Sequence, residues 1–179
     1  MTFTAYPGAL EELTAAKLQA LISELRPLYV RKSADETVNN STVLQNDDHL
    51  FLAMVANVTY ELTGLLRYTC ASVTPEIQID FTFPSLTTME YFGAGPGVNV
   101  TGQEGNLSAY SPRSTTSPVG AVFYGTNNSA AFALGISLRG LVRVGANAGN
   151  LQLRWAQTVA TATDLKMLTD SYLLLRRVD

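Results

Sequence analysis

The chain predicts a mainly β fold, an antiparallel β-sandwich or jelly roll preceded by one N-terminal α-helix. Three alternating segments carry this prediction. Across 58–70, Val58, Tyr60, Leu62, Gly64, Leu66, Tyr68 and Cys70 alternate with Thr59, Glu61, Thr63, Leu65, Arg67 and Thr69. Across 77–83, Ile77, Ile79, Phe81 and Phe83 alternate with Gln78, Asp80 and Thr82. Across 132–144, the even positions are Phe132, Leu134, Ile136, Leu138, Gly140, Val142 and Val144. Successive side chains of a strand point to opposite faces, so each segment reads as a strand with one buried and one wet face.

Residues 9–26 read as the one helix. Pro7-Gly8 punctuates its start, and Glu11 and Glu12 suit the positive end of the helix dipole. Arg26 closes the last turn and Pro27 stops it. Leu10, Leu13, Leu18, Leu21, Ile22 and Leu25 form an apolar stripe, the candidate docking or oligomerisation surface. A short lone helix is marginal in water, so the stripe needs something to pack on.

Residues 29–47 read as a polar connector. Strands are expected near 49–55, 58–70, 76–83, 119–125, 132–144, 150–157 and 170–178. Ala56-Asn57 suits a tight turn between the first two. Leu151, Leu153 and Trp155 mark the inner face of the sixth. Gly64 and Gly140 interrupt long alternating runs, where glycine often marks a bulge or bend. The stretch 93–118 is rich in Gly, Pro, Ser and Thr and reads as a long loop. A second excursion, 125–131, reads as an exposed tip. The expected division is therefore 1–47, docking helix and connector, and 48–179, a β-sandwich domain with a long loop at 93–118.

Composition narrows the function. Of 179 residues, 46% are hydrophobic and only 15% charged, so Ser, Thr, Asn and Gln must cover much of the surface. The net charge of −3 lacks the basic stripe that neutralises phosphates, so no nucleic-acid partner is expected. No apolar run is long enough to span a bilayer, so no membrane partner is expected. Met1-Thr2-Phe3-Thr4 shows no secretory pattern. One cysteine, Cys70, forms no internal disulfide and falls on an apolar strand face, so it reads as a small buried hydrophobe.

Reactive constellations are sparse. His49 is the single histidine and follows Asp47 and Asp48. These three complete neither a zinc pattern nor a calcium loop, so no metal and no cofactor is expected. No Gly-x-Ser-x-Gly elbow occurs. Glu76, Asp80, Glu90 and Glu104 are the carboxylates that could pair as a hydrolase acid and base. Glu76 and Asp80 fall on a wet strand face, where solvated carboxylates are ordinary. No catalytic residue is expected, and the chain reads as a non-enzyme.

Several segments are similar to a known class of protein. These are Thr42-Val43-Leu44-Gln45-Asn46-Asp47-Asp48-His49-Leu50-Phe51-Leu52, then Asn57-Val58-Thr59-Tyr60, then Leu141-Val142-Arg143-Val144-Gly145 through Leu151-Gln152-Leu153-Arg154-Trp155-Ala156-Gln157. The end, Ser171-Tyr172-Leu173-Leu174-Leu175-Arg176-Arg177-Val178, belongs with them. Together they resemble β-rich virion surface proteins of tailed bacteriophages, especially those infecting actinobacteria, of the capsid decoration or tail/fibre type. The helical segment Leu13-Thr14-Ala15-Ala16-Lys17-Leu18 resembles their N-terminal docking segment. The resemblance implies a structural virion protein, a homotrimer that binds the major capsid protein or a tail protein of the same particle. A decoration (cementing) protein on the outside of the head is the leading expectation. A minor tail or fibre module binding a host receptor or glycan is the alternative.

Overall fold

The structure, a computed structural model, describes residues 14–98, 110–116 and 121–178. In chain order its elements are α1 (Ala15–Leu25), β1 (Leu28–Arg31), β2 (Glu36–Val38), β3 (Gln45–Met54), β4 (Thr59–Ala71) and β5 (Ile77–Thr82). There follow β6 (Thr88–Pro96), β7 (Tyr110–Thr116), β8 (Val122–Tyr124), β9 (Asn128–Arg143), β10 (Gly149–Gln157), β11 (Leu165–Met167) and β12 (Tyr172–Arg177). Each of the seven expected strand regions contains a strand.

The strands form two antiparallel sheets. The larger runs β1-β12-β4-β9-β6-β7, with β11 pairing β4 and β2. The smaller runs β3-β10-β5-β8. One hydrophobic core joins Leu62, Leu66, Leu138 and Leu173 of the larger sheet to Leu50, Ile79, Leu151 and Trp155 of the smaller. This is a β-sandwich. Strand β4 alternates as the sequence dictates, with its even positions buried from Tyr60 to Cys70. The turn before it holds Asn57 at φ 57°, and its N–H donates to the Gly145 carbonyl at 2.8 Å. Asparagine tolerates this left-handed conformation better than most residues.

The structure corrects four expectations. The connector 29–47 contains β1 and β2, and β3 begins within it. Its polar residues face outward or pair with one another, so the stretch shows no apolar alternation. The loop 93–118 is partly a hairpin, since β6 reaches Pro96 and pairs with β7. The inner positions of β6 after Tyr91 are Gly93 and Gly95, which no hydrophobicity pattern reveals. A Cβ on Gly93 would lie 3.0 Å from Ile136, and one on Gly95 would lie 2.9 Å from both Ile136 and Tyr124. Glycine there leaves room for the Tyr124 ring.

Gly64 and Gly140 do not bend their strands. The register of β4 on β9 runs unbroken through both and shifts only between Tyr68 and Cys70. Both glycines serve close approach. A Cβ on Gly140 would lie 2.6 Å from the Glu90 carbonyl oxygen and 2.8 Å from Tyr91 Cβ. Gly140→Ala is therefore expected to destabilise the fold by about 1–3 kcal/mol, because backbone must move. A urea midpoint equal to that of the parent would refute the packing argument. The fourth correction is the start of β9. Tyr68 pairs Leu134 but Cys70 pairs Ser129, so β9 carries extra residues between those partners. Phe132 consequently leaves the core and is 47% exposed. Backbone carbonyls of Ser129 and Phe132 both lie 3.2 Å from the Thr69 hydroxyl, which donates to them.

Two buried acids set an alkaline limit. Burial pushes the Cys70 thiol above its ordinary 9.0 and the Tyr91 hydroxyl above its ordinary 10.0. The folded state then holds protons that the unfolded chain releases, so stability falls as pH rises past those ordinary values. Below about pH 8 neither group affects the slope. Chemical denaturation of Cys70→Ala and Tyr91→Phe chains between pH 8 and 11 is expected to show a shallower decline than the parent. Identical slopes would exclude these groups as the cause.

Candidate functional site

Three features of the molecule bear on chemistry or recognition: the α1 stripe, the acid–histidine cluster and the outer face of the larger sheet.

Helix α1 starts at Ala15, with Thr14 as its N-cap, and the Thr14 hydroxyl oxygen accepts from Lys17 N–H at 3.2 Å. The cap satisfies an otherwise orphaned N–H. Its C-cap Arg26 donates N–H to the Ile22 carbonyl at 3.2 Å. Of the six stripe residues, Leu10 and Leu13 lie outside the described residues, as do Glu11 and Glu12. Leu25 falls in the last turn. Leu18, Leu21 and Ile22 are 44%, 48% and 37% exposed. Among the described residues, no strand packs extensively against α1. An 11-residue helix falls below the roughly 12–15 residues at which isolated helices become even marginal.

The acid–histidine cluster is built around a lysine. Glu36, Asp47 and His49 offer ligand atoms within 4.8 Å of one another. The Lys32 ammonium stands among them. It donates to Glu36 Oε2 at 2.7 Å and Asp47 Oδ2 at 2.9 Å, and lies 3.4 Å from His49 Nδ1. An ammonium only donates, so this contact is a hydrogen bond only in the tautomer whose ring proton is on Nε2. Both Lys32 and Asp47 side chains are wholly buried. The second Asp47 oxygen accepts the His49 and Leu50 N–H groups, each at 2.9 Å. Trp155 Nε1 donates to Asp47 Oδ2 at 3.2 Å. Glu36 also accepts from Asp48 N–H at 3.0 Å and from the Gln45 amide at 3.2 Å.

The cluster thus pins β1, β2, β3 and β10 together. A divalent cation on those three ligand atoms would face the Lys32 ammonium at close range, so the donor set fits an internal ion-pair network. The sequence flags Asp47, Asp48 and His49, but Lys32 and Glu36 carry no signal there. Asp48 contributes its backbone N–H and not its carboxylate.

The other flagged carboxylates are used separately. Asp80 points outward from β5 yet is 4% exposed, and it pairs with Arg154 across the strands. Glu76 sits before β5 at φ 34° and its carboxylate lies 3.5 Å from the Thr158 hydroxyl. Glu90 lies 3.9 Å from Arg143. Glu104 lies outside the described residues. Cys70 is a buried free thiol.

The outer face of the larger sheet mixes apolar and charged residues. Cross-strand register sets Tyr29, Leu174, Thr63, Arg139 and Phe92 in one row. On one side lies the row Arg31, Tyr172, Leu65, Ser137 and Ala94. On the other lies Arg176, Glu61, Leu141 and Glu90, and then Thr59, Arg143 and Thr88. Tyr29 is 56% and Phe92 49% exposed, while Leu65, Leu141, Tyr172 and Leu174 are half-buried. The Tyr29 and Tyr172 rings stack at a tilt, 5.8 Å apart. Arg176 pairs with Glu61.

No family model matches the chain, and no curated protein matches it. Among solved structures, chains of infectious bursal disease virus, Gt strain and Gx strain, are similar to 86% of this chain. Their identities are 11% and 9%, and their TM-scores 0.21 and 0.20. This chain spans 41% of the length of each. Likeness at that level carries no argument about fold or function.

Proposed function

We propose that the chain is a structural protein of a phage virion, a homotrimer that decorates the outside of the head. The observation that carries this reading is the exposed stripe Leu18, Leu21 and Ile22 on a helix too short to stand alone. Such a helix requires a surface to pack on, and in this reading that surface lies outside its own sandwich. The resemblance of the 42–60 and 141–178 segments to phage surface proteins supplies the class of particle. In this reading α1 docks on the major capsid protein, and the sandwich is the displayed body. The acids and the histidine do internal work: Lys32, Glu36, Asp47 and His49 hold strands together and process no substrate.

Copy number and location on purified particles test the reading. Labelled protein spread over the head at hundreds of copies is the expected result. A handful of copies at the tail tip would replace decoration by the tail or fibre alternative.

A further inference from the structure

We propose that Lys32 and Asp47 condense to an amide, a covalent staple between the two sheets, with Glu36 carrying the proton. The inference goes beyond the virion reading and does not depend on it.

Position is the first argument. Lys32 directly follows β1 of the larger sheet, and Asp47 lies in β3 of the smaller. Both side chains are wholly buried, and Lys32 Nζ stands 2.9 Å from Asp47 Oδ2. The Lys32 backbone is held on both sides. Its N–H donates to the Ser171 carbonyl at 2.8 Å, and its carbonyl accepts from Asp170 N–H at 3.0 Å. Well-oriented groups fixed in contact react as if at an effective concentration of about 10⁵ M or more. Burial also keeps out the water that would drive the reverse hydrolysis.

The surroundings are the second argument. An ion pair needs only its two charges, whereas this one also carries the parts of an acyl-transfer site. Asp47 Oδ1 accepts the His49 and Leu50 N–H groups, each at 2.9 Å. Two backbone amides on one oxygen make a cradle for the negative charge of a tetrahedral intermediate. Oδ2 faces the lysine and accepts from Trp155 Nε1 at 3.2 Å, so it is the leaving oxygen. Glu36 Oε2 lies 2.7 Å from Nζ and is held by Asp48 N–H at 3.0 Å. Glu36 and Asp47 offer carboxylate oxygens within 4.8 Å of each other, so Glu36 serves both the nitrogen and the leaving oxygen.

The step balances. The Lys32 ammonium passes one proton to Asp47 Oδ2, leaving a neutral amine and a carboxylic acid. The amine lone pair bonds to Asp47 Cγ, and the carbonyl electron pair moves onto Oδ1. Glu36 takes a proton from the nitrogen and gives it to the Oδ2 hydroxyl. The Cγ–Oδ2 bond breaks, water leaves and the carbonyl re-forms on Oδ1. Glu36 ends as the carboxylate it began as, and no oxidant, reductant or cofactor is consumed. Ion pair and amide are successive states of the same two side chains, so Lys32→Met removes both.

Intact-mass spectrometry of the denatured parent chain, followed by tryptic mapping, is the test. The parent is expected to be lighter by one water than its residues sum to. Trypsin should fail at Lys32, so that Lys32 and Asp47 stay in one peptide ending at Arg67, and that peptide should carry the loss. A Glu36→Gln chain, with the joined share followed from synthesis onward, is expected to join roughly 100-fold more slowly or worse. A parent of full mass with Lys32 cleaved would overturn the inference. A water loss with Lys32 still cleaved would mark a cyclised aspartate and would overturn it too. A Glu36→Gln chain that joins at the parent's rate would overturn the part given to Glu36. The parent's own mass decides whether the bond exists, so a variant that fails to fold leaves the test intact.

Discussion

Replacing Lys32 by methionine is expected to destabilise the fold by about 3–5 kcal/mol. That is the cost of leaving a buried ion without its partner. The magnitude follows from position. Asp47 is wholly buried, and Lys32 is the one cation that pairs with it among the described residues. Its other partners, the His49 and Leu50 amides and the Trp155 indole, solvate the charge without cancelling it. At 2–4 °C per kcal/mol for a chain of this size, the melting temperature should fall by roughly 6–20 °C. Asp47→Asn should be costly for the converse reason. The double variant should then lose at least about 1 kcal/mol less than the sum of the singles, because each single already breaks the shared pair. Strict additivity would show that the ammonium and the carboxylate do not act on one another.

The second large effect concerns α1. Leu18→Glu/Leu21→Glu is expected to weaken binding to particles stripped of the protein by about 100-fold or more. Burying one leucine is worth about 1.5–3 kcal/mol, and two such losses multiply. The sandwich should melt as before, since both side chains are already exposed in the isolated chain. Retained affinity would detach α1 from docking. A lowered melting temperature would mean instead that the stripe packs on its own domain.

The sandwich was legible where one face is apolar and the other polar. In β4 the residues Tyr60 to Cys70 alternate in sequence as they do in burial. Legibility failed where burial is not apolar. Gly93 and Gly95 occupy inner positions of β6 and leave no hydrophobic trace. Strands β1 and β2 were hidden because Lys32, just after β1, and Glu36, which opens β2, are charged residues wholly or partly buried by pairing with each other and with Asp47. Asp47 and His49 were visible as a pair, but their role was set by Lys32, 15 and 17 residues away. Neither a lone histidine nor an Asp-Asp dipeptide announces an internal lysine. The helix was visible through its leucines, and its N-cap Thr14 was not distinguished from the threonines around it. The apolar residues on the outer face of the larger sheet come together only after register aligns Leu65, Leu174 and Tyr29 from three strands. Each of those residues alone reads as an ordinary exposed position.

If the chain is an assembly unit, its exposed leucines and aromatics are covered by other protein. Native mass spectrometry of the purified chain at micromolar concentration tests this most directly. The proposed homotrimer gives a species of three times the 19.3 kDa chain mass. A single stable species at 19.3 kDa would contradict it.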